Sequence, residues 1–208
     1  MARYTESVCK LCRRCEVKLM LKGSRCMTPK CAMERQKKAG MRGGARRRRV
    51  SDRGLQLTEK QKVRFSYGLM EKQFRGVFER ASKEKGITGD NLLSLLERRM
   101  DNVVFRLGFA DSRAQARQLV QQGHLTLNGK KANIPSRLIK EGDTVSFSKS
   151  GASTEYYKQM ITGIESKSIV SWLTLDRQTL VGRAVSLPTP GEVGAEFNSK
   201  AIVEYYSR

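Results

Sequence analysis

Acidic residues are scarce in this sequence. Twenty Asp and Glu stand against 41 Lys and Arg, which leaves a formal net charge of +21 over 208 residues. Histidine is scarcer still: His124 stands alone and cannot alter that balance. No stretch approaches the roughly 18–20 apolar residues that a membrane span needs, so no membrane partner is expected. Met1-Ala2-Arg3-Tyr4-Thr5-Glu6 has no apolar run of the secretory kind. No cysteine follows Cys31. A G-x-x-x-x-G-K-[ST] phosphate loop and an H-E-x-x-H pair are both missing, and no internal repeat is visible. Neither an enzyme nor a small-molecule substrate is therefore expected.

Enough apolar material remains for a core. Hydrophobic residues make up 38% of the chain, which excludes a wholly disordered basic tail. An excess of +21 repels itself unless a polyanion neutralises it, and nucleic acid is the commonest such partner. The charge is concentrated at one end. Residues 1–50 hold 16 basic and 3 acidic side chains, whereas residues 151–208 hold six of each. The neutral last quarter is suited to packing or to contact with another protein.

All five cysteines fall within residues 1–36. Cys9 and Cys12 are two residues apart, Cys26 and Cys31 four, with thirteen residues between the pairs. Each pair can form a knuckle that offers two thiolates to one metal, and the loop is long enough to join them in a tetrahedral site. One structural Zn2+ is the expected cofactor. Cys9, Cys12 and Cys15 also have iron–sulfur spacing, so a cluster is the alternative.

Residues 37–54 read as a linker rich in glycine and arginine. Arg46, Arg47, Arg48 and Arg49 are there to bind phosphates, and the segment alone should be disordered. Residues 55–96 read as helices. Thr58 with Gln61 has capping-box spacing and opens a basic helix that Gly68 ends. Phe74, Val77, Phe78 and Ala81 mark a second helix, stopped at Gly86. Leu92, Leu93, Leu96, Met100, Val103, Val104 and Leu107 form one wide apolar stripe ending at Gly108.

Residues 97–157 read as a module. Ser112 and Gln115 cap a helix over 113–122 that stops at Gly123. Arg113, Arg117 and Gln121 lie one above another on it. Leu125-Thr126-Leu127, the turn Asn128-Gly129 and Lys130-Lys131 make a hairpin of type I′. Thr144 to Phe147 is a further strand. The expected fold is α+β: a metal knuckle and helical region beside a helix pair on a small antiparallel sheet. Residues 158–208 are left as a packing segment, with a short helix from Glu155 to Ile161 before it. Trp172 to Asp176 and Ala201 to Tyr206 are read as extended pieces.

Three stretches carry a family resemblance. Cys9-Lys10-Leu11-Cys12-Arg13-Arg14, Leu21-Lys22-Gly23-Ser24-Arg25-Cys26 and Lys30-Cys31-Ala32-Met33-Glu34-Arg35 resemble the amino-terminal zinc region of bacterial ribosomal protein S-four. The run from Glu97 to Ala110, continued by Ser112 to Val120 and Gly123 to Gly129, is similar to that family's most recognisable motif. Ile202 to Arg208 resembles its C terminus. The resemblance implies a structural, non-catalytic protein of the small ribosomal subunit. It implies binding to the 5′ domain of small-subunit rRNA at a multi-helix junction and nucleation of the subunit body. A contact with small-subunit protein S-five linked to decoding accuracy, a place near the channel where mRNA enters, and a cytoplasmic location are implied too. Candidate RNA contacts are Arg13, Arg14, Lys22, Arg46, Arg47, Arg48, Arg49, Arg113, Arg117, Gln121, His124, Asn128, Lys130 and Lys131. An RNA-modifying enzyme and a zinc-dependent DNA regulator are the readings from other classes. The first would need a catalytic domain that the chain has little length to hold.

Overall fold

The computed structural model describes residues 3–38, 51–165, 167–189, 191 and 197–207. Arg46, Arg47, Arg48 and Arg49 lie outside the described residues. The chain begins with helix α1 (Cys9–Cys15), a 3-10 turn (Gly23–Met27) and α2 (Ala32–Lys38). Leu11, Cys15 and Leu19 close over Phe65 in a small apolar cluster. Lys37 and Lys38 thus end a helix rather than start a linker.

Helix α3 (Asp52–Ser66) starts well before Thr58. Ser51 caps it, its Oγ accepting the Gly54 N–H at 3.3 Å. Thr58 lies inside the helix and donates its hydroxyl to the Gly54 carbonyl. The capping-box spacing at Thr58 therefore marks no helix start, because an interior threonine satisfies its hydroxyl on the preceding turn. Helices α4 (Glu71–Ala81) and α5 (Thr88–Glu97) follow. Phe74, Ala81, Leu92 and Leu96 fill the space between α3, α4 and α5.

The long apolar stripe is two helices. After α5 the chain breaks at Arg98 and Arg99, then resumes as α6 (Met100–Arg106). Residues 135–139 cause the break. The Met100 and Asp101 amides donate to the carbonyls of Arg137 and Pro135, and the Ile139 amide donates to Arg98. Pairing with a distant segment replaces the helical bonds that side-chain spacing implied.

Helix α7 (Arg113–Gln121) has the expected cap, Ser112 Oγ accepting the Gln115 amide at 3.3 Å. Strands β1 (Leu125–Leu127) and β2 (Lys130–Ala132) form the hairpin. Asn128 and Gly129 both have positive φ, 51° and 76°, as a type I′ turn requires. Strand β3 (Thr144–Phe147) pairs antiparallel with β1. Helices α8 (Lys149–Ala152) and α9 (Glu155–Ile164) follow it. Strands β4 (Leu173–Asp176) and β5 (Val181–Ala184) extend the sheet on the far side of β3, in the order β2-β1-β3-β5-β4. Trp172 is buried against this sheet.

The last element corrects an expectation. Residues 201–206 belong to helix α10 (Ser199–Tyr206), capped by Asn198, and not to an extended piece. Ile202 and Tyr206, four apart, face the α3–α5 core, and the Tyr206 ring stacks on Phe78 with centroids 4.5 Å apart. Residues 158–208 thus serve both halves: two strands join the sheet and one helix returns to the helical region. Among the described residues no helix is long and apolar enough to cross a membrane.

Candidate nucleic-acid interface

Cys9 and Cys12 project from α1, Cys26 from the 3-10 turn, and Cys31 precedes α2. The four line one small cavity with Leu21 and Met33. Backbone amides support the sulfurs: Lys22 N–H donates to Cys26 Sγ at 3.3 Å, and Leu19 donates to Cys12. Burial pushes the Cys12 thiol up, the other three cysteines add to the rise, and the Leu19 bond opposes it. All five cysteines are free. Among the described residues no three or more Cys, His, Asp or Glu groups stand close enough to hold a metal ion. The sulfurs share a cavity without being drawn into a coordination shell. Cys15 does not line this cavity; it is buried with Leu11, Cys12, Leu19 and Phe65 in the apolar cluster beneath.

The knuckle docks on the module through Gly23. Its φ is +57°, and a Cβ there would stand 2.5 Å from the Asp111 carbonyl oxygen. Only a residue without a side chain permits both the turn and the approach. Between the docked parts runs a groove of about 810 Å³. Arg3, Tyr4, Arg14 and Lys22 line one wall. Arg64 at the end of α3, Tyr67 and Gly68 of the loop after it, and the module residues Phe105, Arg113 and Arg117 line the other. Arg14 and Lys22 are exposed, and among the described residues no carboxylate pairs with either.

Arg113 and Arg117 are not the open phosphate contacts that the helix spacing suggested. The Arg113 guanidinium sits between the rings of Tyr67 and Phe105, 4.7 Å from each centroid. Its Nε donates to Asn102 Oδ1 at 2.7 Å, and Nη2 lies 3.9 Å from Glu97. Arg117 is 5% exposed, donates to the Gly68 carbonyl at 3.3 Å and lies 4.0 Å from Asp101. Burial pulls its pKa down, and the Asp101 charge pushes back. Helical periodicity identified the face but not the loop at Tyr67–Gly68 that covers it. Both arginines therefore contribute a fixed positive floor to the groove.

The hairpin is a second basic surface. Lys130 and Lys131 are exposed on edge strand β2. Lys131 lies across Gly123, where any side chain would collide with it. Asn128 is committed to the fold: its amide donates to Asp143 at 2.8 Å and its carbonyl accepts the Thr144 amide at 2.8 Å. It makes the turn while staying exposed at the hairpin tip. Gln121 is exposed, and His124 is half-buried with Nε2 3.1 Å from Gln122 Oε1. Arg13 is exposed on α1 but does not line the groove. Arg3, Arg64 and the aromatic rings of the groove carry no mark in the sequence beyond the general excess of basic residues.

Comparison with known proteins matches residues 3–97 to the ribosomal protein S4/S9 N-terminal domain and residues 98–145 to the S4 domain. The boundary falls at the break between α5 and α6. "Small ribosomal subunit protein uS4" of Dehalococcoides mccartyi (strain CBDB1) is 51% identical over 208 residues, covering all of both chains. The proteins of that name from Thermodesulfovibrio yellowstonii and Heliobacterium modesticaldum are 49% and 50% identical over the same full span. With half of its residues shared from end to end, and both domains matched in order, the chain belongs to the uS4 family of small-ribosomal-subunit proteins, a structural and non-enzymatic family.

Proposed function

We propose that this chain is a structural constituent of the small ribosomal subunit, at work in the cytoplasmic ribosome. It binds the 5′ domain of small-subunit rRNA and nucleates the subunit body. It neighbours small-subunit protein S-five, a contact that bears on decoding accuracy, and stands near the channel where mRNA enters. The observation that carries the reading is the basic groove where the two family domains and the cysteine knuckle meet. Its cations are held by a rigid frame before any RNA arrives, so binding need not order them. The Lys130–Lys131 edge gives a second phosphate-binding surface, and two such surfaces on one body favour a folded junction over a plain duplex.

Cys9, Cys12, Cys26 and Cys31 are the residues that would hold a zinc ion. The four sulfurs line one cavity, two of them served by backbone amides, and would make a closed structural site once an ion drew them together. The ion would supply a cross-link that stiffens the knuckle, not a reaction. Cys15 does not line that cavity, which favours zinc over an iron–sulfur cluster that would use it.

Competition binding to a 5′-domain rRNA fragment tests the reading. A folded junction should outcompete a duplex of equal length and charge at physiological salt, and the protein should co-sediment with the small subunit after a high-salt wash. Equal affinity for the two RNAs would reduce the binding to generic polycation attraction.

A further inference from the structure

We infer that the groove between the cysteine knuckle and the module takes a single unpaired strand of RNA, one or two nucleotides long, rather than the flank of a duplex. The inference rests on the RNA-binding reading above and names what enters this particular site.

Size is the first argument. A cleft of about 810 Å³ falls in the range of roughly 300–1,000 Å³ that encloses one drug-sized molecule. Such a space admits a nucleotide or two and excludes a double helix. Charge is the second. Arg14 and Lys22 face the groove from the knuckle wall, opposite the fixed cations Arg113 and Arg117; the acids in the lining, Glu6 and Asp101, are paired with Lys10 and with Arg99 and Arg117, so the groove keeps a positive excess. A strand between the walls would meet positive charge on both sides, as in grooves that follow a single-strand backbone. The rings are the third. Tyr67 is buried and Phe105 half-buried, and both already carry Arg113 on one face, so Tyr4 is the ring left to meet a base. Tyr4, half-buried on the opposite wall, packs part of its ring against the cluster of Leu11, Leu19 and Phe65, has its hydroxyl 3.4 Å from Glu6, and turns the rest of the ring to the groove. Aromatic faces beside a basic track stack successive bases without regard to their identity. A duplex, whose bases are already stacked on each other, offers nothing to such a ring.

The hairpin lacks this combination. Lys130 and Lys131 stand on an open strand edge that suits phosphates displayed on a duplex surface. The two surfaces should therefore separate in binding experiments.

The test uses the full-length protein, a fluorescein-labelled pentauridylate as single strand and a 12-base-pair RNA duplex. Two exposed cations removed by Arg14→Ala with Lys22→Ala should weaken pentauridylate binding by about 25-fold at 0.1 M salt, at a slope of about 0.7 per phosphate contact. Duplex binding should hardly change. Lys130→Ala with Lys131→Ala should give the opposite pattern. Pentauridylate carrying 5-iodouridine should photo-crosslink to Tyr4 in the unaltered protein, a readout independent of any variant. Equal losses on both RNAs, no loss on either, or crosslinks confined to the hairpin would overturn the inference while leaving junction binding intact. Failure of the unaltered protein to bind the 5′-domain fragment would overturn the RNA-binding reading, and the inference with it.

Discussion

The phenol of Tyr67 donates to Oε1 of Glu97 at 2.5 Å, joining the loop after α3 to the last residue of α5. Glu97 is wholly buried, and Asn102 and Arg106 also bind its carboxylate, Asn102 at 2.7 Å and Arg106 at 2.8 and 2.9 Å. Asn102 in turn accepts from Arg113. One carboxylate at the boundary of the two family domains thus ties the helical region to the module and sets the groove's floor. Removing the charge while its cations stay should cost about 3 kcal/mol, because they lose their partner out of water. Urea unfolding of Glu97→Ala should show that loss, and Tyr67→Phe a smaller one of about 1 kcal/mol. An unchanged midpoint for Glu97→Ala would mean the two parts are held by packing alone.

The same carboxylate gives a pH dependence. Burial alone would raise its pKa, but the hydrogen bonds and charge of Arg106, with the Arg113 charge, outweigh it and hold Glu97 below its ordinary 4.5. A carboxyl lowered in the folded state binds fewer protons there than in the unfolded chain, so its stabilisation is complete above about pH 4.5 and fades as pH falls below it. Between pH 7 and 5 this group should contribute no slope. Urea midpoints measured from pH 5 down to 3 should fall less steeply for Glu97→Gln than for the unaltered protein.

Gly23→Ala should loosen the knuckle from the module. The added methyl would meet the Asp111 carbonyl at 2.5 Å in a backbone conformation that alanine resists. Residues 3–38 should exchange amide hydrogens faster, whereas β1 and β3 should not. Single-strand binding should weaken with the displaced wall.

Metal analysis of gently prepared protein should find about one zinc per chain. Chelation should speed exchange in the knuckle and leave the sheet protected. Cys31→Ser should abolish loading. Cys15→Ala should retain the metal and lose only packing energy in the cluster with Leu11 and Phe65. Iron with sulfide, lost on Cys15→Ala, would establish the cluster instead.

The arginines of α7 and the lysines of β2 should fail in different ways. Arg117→Ala should cost about 2 kcal/mol of stability, because Asp101 keeps only Arg99 and a buried space opens. Lys131→Ala should leave the unfolding midpoint nearly unchanged and reduce the salt slope of RNA binding by about one unit. A reversal of the two results would put Arg117 on the RNA and Lys131 in the frame.

Local chemistry made much of the chain legible in advance. Ser112 with Gln115 specified α7, and Asn128-Gly129 specified the hairpin turn, because a cap and a type I′ turn are decided by neighbouring residues. Cysteine spacing brought Cys9, Cys12, Cys26 and Cys31 to one cavity and left Cys15 open to either reading. Residue identity carried the family and the charge that calls for RNA. The remaining features depended on segments far apart in sequence. Residues 135–139 split one apolar stripe into α5 and α6. The α3–α5 core draws residues 199–206 into a helix where the local sequence suggests an extended piece. The loop at Tyr67–Gly68 covered Arg113 and Arg117 and turned two surface cations into the floor of a groove. Periodicity tells which residues share a face. What covers that face is decided only when the chain folds back on itself, so the groove, its closing contact at Gly23 and the Glu97 junction belong to the tertiary structure alone.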